Sequence, residues 1–122
     1  MPQASRTVLA VIDDLIFRSR VEAAAAPLGM TVEAVATADA LGAAVHIPWP
    51  LVIVDLNATV ADPLPFIAML RRAQPTIPII GFCAHGQVQL RQHAHEAGCT
   101  AVLPRSAMVQ ALHQLLADAR RE

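Results

Sequence analysis

The chain has 122 residues, one domain's worth of sequence, and a domain of that length buries enough surface to fold without disulfides or a structural metal. Nine basic and ten acidic residues leave a net charge of −1, a balance that points away from nucleic acid and from membrane surfaces. Hydrophobic residues make up 55 % of the chain, but the longest apolar run, 40–54, is broken by His46, Pro48 and Pro50 and falls short of the ~20 residues of a membrane span.

The N-terminal stretch MPQASRTVLAV runs into acid at Asp13 and lacks the pattern of an export signal. The expected location is therefore cytoplasmic, with Cys83 and Cys99 reduced. All nine basic residues are arginine, so any cation at a site must be a guanidinium. TVLAVI (7–12) predicts a buried strand. Residues 15–28 predict a helix with Phe17, Val21, Ala24 and Leu28 on one face, stopped at Gly29. TVEAVA (31–36) alternates and predicts a strand nearer an edge. Thr37 is placed to cap a short helix over 38–45. Pro48-Trp49-Pro50 then turns into LVIV (51–54), the clearest strand, with Trp49 closing the edge of the sheet. Asp62 and Pro63 predict the cap and first residue of a helix running to Ala73. IPIIGF (77–82) is a fourth strand, 86–97 a fourth helix ended by Gly98, and TAVL (100–103) a fifth strand. Ser106 predicts the cap of a last helix reaching about residue 120.

The pattern is (βα)5 over a single domain, 1–122. Continuous apolar strands need cover on both faces, which gives a three-layer α/β sandwich around a parallel sheet. With right-handed crossovers the commonest five-stranded order is 2-1-3-4-5, the flavodoxin-like arrangement. Such sheets place ligands at the carboxyl ends of the strands where the order reverses, here between strands 1 and 3.

Strand 1 ends in Asp13-Asp14, strand 3 in Asp55 followed by Asn57, strand 4 in Cys83-Ala84-His85, and strand 5 in Pro104-Arg105-Ser106. Three carboxylates in one crevice repel, and a divalent cation among them relieves the repulsion. Hard oxygen donors suit Mg²⁺. Arg105 adds a positive charge beyond Asp55, where an anion can be held, so the set is that of a phosphoryl acceptor.

In order and spacing, VLAVIDD (8–14), PLVIVDLNATVADPL (50–64), IPIIGFCAHG (77–86) and EAGCTAVLPRS (96–106) resemble the receiver domains of bacterial two-component response regulators. The resemblance implies a stand-alone receiver in a phosphorelay and not an enzyme in the ordinary sense. It implies that Asp55 takes a phosphoryl group from a histidine kinase or phosphotransfer protein. It also implies that Asp13, Asp14, Asp55 and the backbone carbonyl of Asn57 hold Mg²⁺, and that a downstream protein reads the result. Cys83 and Arg105 stand at the family's phosphoryl-contacting Thr/Ser and Lys positions. There the chain departs from the pattern: a thiol donates weakly, and a planar guanidinium is not an ammonium. Ser106 replaces a proline, Val102 an aromatic switch residue, and Thr59 and Pro63 a Pro and a Gly. Those departures raise an alternative, a pseudo-receiver that binds a partner without phosphorylation.

A third reading takes Cys99 to Arg105 as the C-x₅-R of cysteine phosphatases, which needs a curled phosphate-cradling loop where this chain reads as a strand. His93 and His95, two apart on a helix, face different ways and make a poor metal pair, whereas His85 lies near the predicted pocket. Val109, Leu112, Leu115 and Leu116 give the last helix apolar residues for the sheet and for a second copy of the chain as a candidate partner.

Overall fold

The computed structural model describes residues 6–35, 37–58 and 62–121. Five strands, β1 (Thr7–Val11), β2 (Thr31–Ala34), β3 (Val52–Asp55), β4 (Ile79–Cys83) and β5 (Ala101–Pro104), form one parallel sheet in the order β2-β1-β3-β4-β5. The helices are α1 (Leu15–Ala25), α2 (Ala38–Ala44), α3 (Pro63–Ala73), α4 (Val88–Ala97) and α5 (Arg105–Arg121). This is the three-layer flavodoxin-like architecture read from the sequence.

Every residue of β3 and β4 is buried, because helices cover both faces of the central strands. At the edge, β2 alternates between half-buried and exposed residues. The two-residue period of a strand deals successive side chains to two cores. Val8, Ala10, Ile53, Ile80 and Phe82 pack with Phe17 and Val21 of α1 and Met108, Leu112 and Leu116 of α5. Leu9, Val11, Val52, Val54, Ile79 and Cys83 pack on the other side with Leu41 of α2, Phe66, Ile67 and Leu70 of α3, and Ala94 of α4.

Local chemistry sets the ends of the elements. Asp14 caps α1, Thr37 caps α2 through the Ala40 amide at 3.2 Å, and Asp62 caps α3 with Pro63 as its first residue. Pro27 has no amide to continue α1, so residues 26–28 tighten into a 3₁₀ turn before Gly29 takes a left-handed conformation at φ 71°. Strand β4 starts at Ile79 rather than Ile77, since Pro78 cannot donate to the ladder. Helix α4 starts at Val88 rather than Gly86, which turns at φ 91°. Ser106 is not a cap: the chain passes from Pro104 directly into α5, and Arg105 is that helix's first residue. Trp49 is buried and donates from Nε1 to the Ala44 carbonyl at 3.0 Å, closing the gap between α2 and the start of β3. Ala36 and Thr59 lie outside the described residues.

At the amino end of the sheet Arg71 acts as a staple. Its guanidinium donates to the carbonyls of Gly98 (2.9 Å), Gln74 (3.2 Å) and Pro75 (3.0 Å) and to Thr100 Oγ1 (3.2 Å). Thr100 Oγ1 in turn accepts from the Ile79 amide at 3.0 Å, so the ends of α3 and α4 and the starts of β4 and β5 are tied together.

Candidate functional site

Strands β1 and β3 are neighbours, with Val11 level with Val54, so the acids that follow them meet at one edge of the sheet. Asp55 is 2 % exposed and is the one buried polar or charged residue among those described. Its Oδ1 accepts from the Asn57 amide at 2.9 Å, and its Oδ2 faces Arg105 Nη2 at 3.4 Å. The other arm of the same guanidinium lies 3.5 Å from Asp14 Oδ2. Arg105 therefore bridges an outer and an inner carboxylate.

Burial raises the Asp55 pKa above its usual value. The Asn57 amide and the Arg105 charge oppose that rise, and the Asp13 carboxylate adds to it. Asp13 thus acts on Asp55 as a like charge. Asp14 is exposed and already engaged: its Oδ1 accepts from the amides of Ile16 (3.0 Å) and Phe17 (3.2 Å) at the start of α1. Asp13 and Asp55 are thus close in electrostatic terms, whereas Asp14 is turned to the helix end and Arg105.

Among the described residues no group of three or more His, Cys, Asp or Glu side chains is arranged to hold a metal. A divalent cation would have to rest on two carboxylates and backbone oxygen. The chemistry of that donor set still fits: a desolvated carboxylate with a second negative charge beside it is stabilised by a hard cation. Asp14 is a further oxygen donor, with its Oδ2 3.5 Å from Arg105.

Beneath the guanidinium the rings of Phe17 and Phe82 stack at 4.4 Å between centroids and 26° between planes. The Arg105 guanidinium carbon lies 5.5 Å from the Phe17 centroid and 5.0 Å from that of Phe82. In the sequence both rings read simply as core. Their role as a shelf for Arg105 depends on α1 and β4 meeting across 65 residues, which no local pattern reports.

Cys83 is 2 % exposed and packs in the apolar cluster on the α2–α4 side, whereas Phe82 lies on the side of Arg105. Burial raises the Cys83 thiol pKa; the charge of Arg91 lowers it and that of Asp55 raises it. His85 is exposed and lines a cleft of about 520 Å³ with Asp14, Phe17, Arg20 and Arg105. Another cavity, of about 550 Å³, opens at the opposite end of the sheet beside Trp49 and Leu115, away from these acids. Cys99 is buried, its thiol pushed up to about 11 chiefly by burial, and four of the five residues between it and Arg105 form β5. A buried neutral thiol before a strand is not a phosphatase nucleophile.

A second polar cluster, which nothing in the sequence signalled, joins the loops after β3 and β4. Asn57 Nδ2 donates to Gln87 Oε1 at 2.9 Å, and the Ala84 amide donates to Asn57 Oδ1 at 2.9 Å and to Gln87 Oε1 at 3.0 Å.

No family model and no curated protein matches this chain. Solved structures do. The chemotaxis response regulator CheY4 of Vibrio cholerae is 24 % identical, covers 93 % of this chain and 97 % of its own, and superposes with a TM-score of 0.76. The CheY-like receiver domain protein of Methanospirillum hungatei JF-1 is 16 % identical over 95 % and 97 % of the two chains, with a TM-score of 0.75. The beryllofluoride-activated NtrC4 receiver domain dimer is 18 % identical over 93 % and 98 %, with a TM-score of 0.73. The fold of this chain is that of response-regulator receiver domains. Among the described residues no helix is long and apolar enough to cross a membrane.

Proposed function

We propose that the chain is a receiver-type signalling domain that takes a phosphoryl group on Asp55 and passes on its state by contact with another protein. The observation that supports this is the burial of one carboxylate, at 2 % exposure, where the strand order reverses. Burying a carboxylate beside a second acid costs stability, and folding gives no reason for it.

The contacts of Asp55 suit that role. The Asn57 amide fixes Oδ1 and so orients Oδ2 as the attacking oxygen. Asp55 Oδ2 forms the new bond to phosphorus while the bond from phosphorus to the donor's nitrogen breaks, and the donor keeps the electron pair. Arg105 holds Oδ2 only loosely, at 3.4 Å, and is free to turn toward the incoming phosphoryl oxygens. Asp13, Asp55 and the Asn57 carbonyl are the residues that would hold Mg²⁺, with Asp14 as a further oxygen donor. Bound there, the cation would neutralise phosphoryl charge. A histidine kinase or phosphotransfer protein is the fitting donor, and the NtrC4 dimer makes a second copy of the chain a candidate partner.

One observation favours a second reading. Cys83 packs in the apolar cluster on the α2–α4 side, so the residue expected to answer a phosphoryl group beside Arg105 is buried in that cluster. A pseudo-receiver would keep this pocket and bind its partner in one state.

The deciding experiment adds beryllofluoride and Mg²⁺ to ¹⁵N-labelled protein and, in parallel, acetyl phosphate followed by peptide mass spectrometry. Shifts centred on the Asn57 and Ala84 amides and a phosphoryl adduct mapped to Asp55 are expected. A folded wild-type protein with neither result would overturn phosphoryl acceptance and leave the pseudo-receiver.

A further inference from the structure

Asn57 has two separate tasks. Its backbone amide holds Asp55 Oδ1 at 2.9 Å, and its side chain holds the next loop through Gln87 and Ala84. The three-way arrangement fixes both carboxamides. The Ala84 amide can only donate, so the Asn57 and Gln87 oxygens must face it, and Asn57 Nδ2 is then left to donate to Gln87 Oε1.

Gln87 sits directly before α4, yet its side chain makes no capping bond to that helix. Its carboxamide is spent on the neighbouring loop, 30 residues away in the chain. The helix therefore does not explain the Gln87 side chain, whereas the geometry of the Asp55 pocket does.

We infer that Gln87 is a positioning residue for Asp55: by pinning the Asn57 side chain and the Ala84 amide, it holds the Asn57 backbone amide on Oδ1 and keeps the two pocket loops at a fixed separation. The functional part rests on the phosphoryl-acceptor reading; the structural part does not. In these contacts Gln87 only accepts. Glutamate at this position keeps that ability, and alanine or methionine does not.

The test compares wild type with Gln87→Ala, Gln87→Met and Gln87→Glu. Amide hydrogen exchange at Ala84, the backbone shift of Asn57 and the rate of Asp55 labelling by acetyl phosphate are measured on each, with Trp49 fluorescence confirming the fold. In Gln87→Ala and Gln87→Met the Ala84 amide should exchange several-fold faster, because it loses one of its two acceptors and the other, Asn57 Oδ1, is no longer pinned. The Asn57 amide should move, and labelling should slow by several-fold. Gln87→Glu should keep the slow Ala84 exchange. Unchanged exchange in Gln87→Ala, or fast exchange in Gln87→Glu, would overturn the hydrogen-bonding role. An opened cluster with labelling at the wild-type rate would overturn the positioning role. Absence of any label on the wild type defeats the phosphoryl-acceptor reading instead, and the exchange measurements still decide the cluster.

Discussion

Two arginines at opposite ends of the sheet are held in opposite ways. At the amino end Arg71 donates four hydrogen bonds of 2.9–3.2 Å to neutral oxygens, three carbonyls and a hydroxyl. At the carboxyl end Arg105 faces two carboxylates at 3.4 and 3.5 Å, with its side chain 37 % exposed. Short bonds to backbone oxygen fix geometry, because the acceptors cannot move without the chain. Longer, half-solvated ionic contacts are weak and exchangeable. The first end is held by fixed acceptors, and the second suits the exchange of partners that the proposed function needs.

The comparison can be broken most severely at Gly98. It sits at φ 133°, and a Cβ added there would lie 2.6 Å from Arg71 Cβ. Gly98→Ala should cost about 3 kcal/mol through backbone strain plus displacement of the staple, read as a lower denaturant midpoint. Arg71→Ala comes next, at about 2 kcal/mol, because it removes charge-assisted bonds that hold four segment ends. Arg71→Lys should recover only part of that, since an ammonium cannot match the planar fork. If Arg71→Ala proved neutral, the amino end would not be the rigid one.

Arg105→Ala should cost less than Arg71→Ala, about 1 kcal/mol, because its pair with Asp14 is solvated and the buried Asp55 carboxyl it leaves behind can take up a proton. Its effect should appear instead in the Asp55 titration, which loses an opposing positive charge and moves further up, measurable by carboxyl ¹³C NMR. A stability loss as large as that of Arg71→Ala would erase the contrast.

The smallest effect concerns Asp55 itself. Its carboxyl is raised above 3.8 by burial, so the native state binds that proton more tightly than the unfolded chain does. The stability this gives is present in full below the unfolded value and lost as pH rises through the raised native one. Asp55→Asn removes the titration. The variant should therefore gain on wild type as pH rises from about 3 to neutrality, checked by paired denaturation curves at both ends of that range. A gap that shrinks with rising pH would mean that Arg105 and the Asn57 amide outweigh burial.

The five strands and the three acids at the strand ends were legible because each depends on short patterns: apolar runs, turn residues, and acids just past a strand. Pro63 and Gly98 marked a helix start and a helix end for the same reason. The strand order followed from crossover handedness and the commonest five-stranded topology. Ser106 misled because a capping residue is only useful where a loop precedes the helix, and here β5 runs straight into α5. The division of labour between Asp13 and Asp14 was not legible either. It depends on which carboxylate turns to the first amides of α1, and that is settled by the direction in which the chain leaves β1.

By itself the sequence determined which side chains stand at the carboxyl end of the sheet, since the alternation of strand and helix fixes where each strand stops. Only the tertiary structure decided how they are shared out. Phe17 and Phe82 form a shelf under Arg105, Cys83 faces the apolar layer, and Gln87 holds Asn57. The physical reason is range: strand and helix patterns arise between near neighbours in the chain, whereas each of these contacts joins segments that only folding brings together.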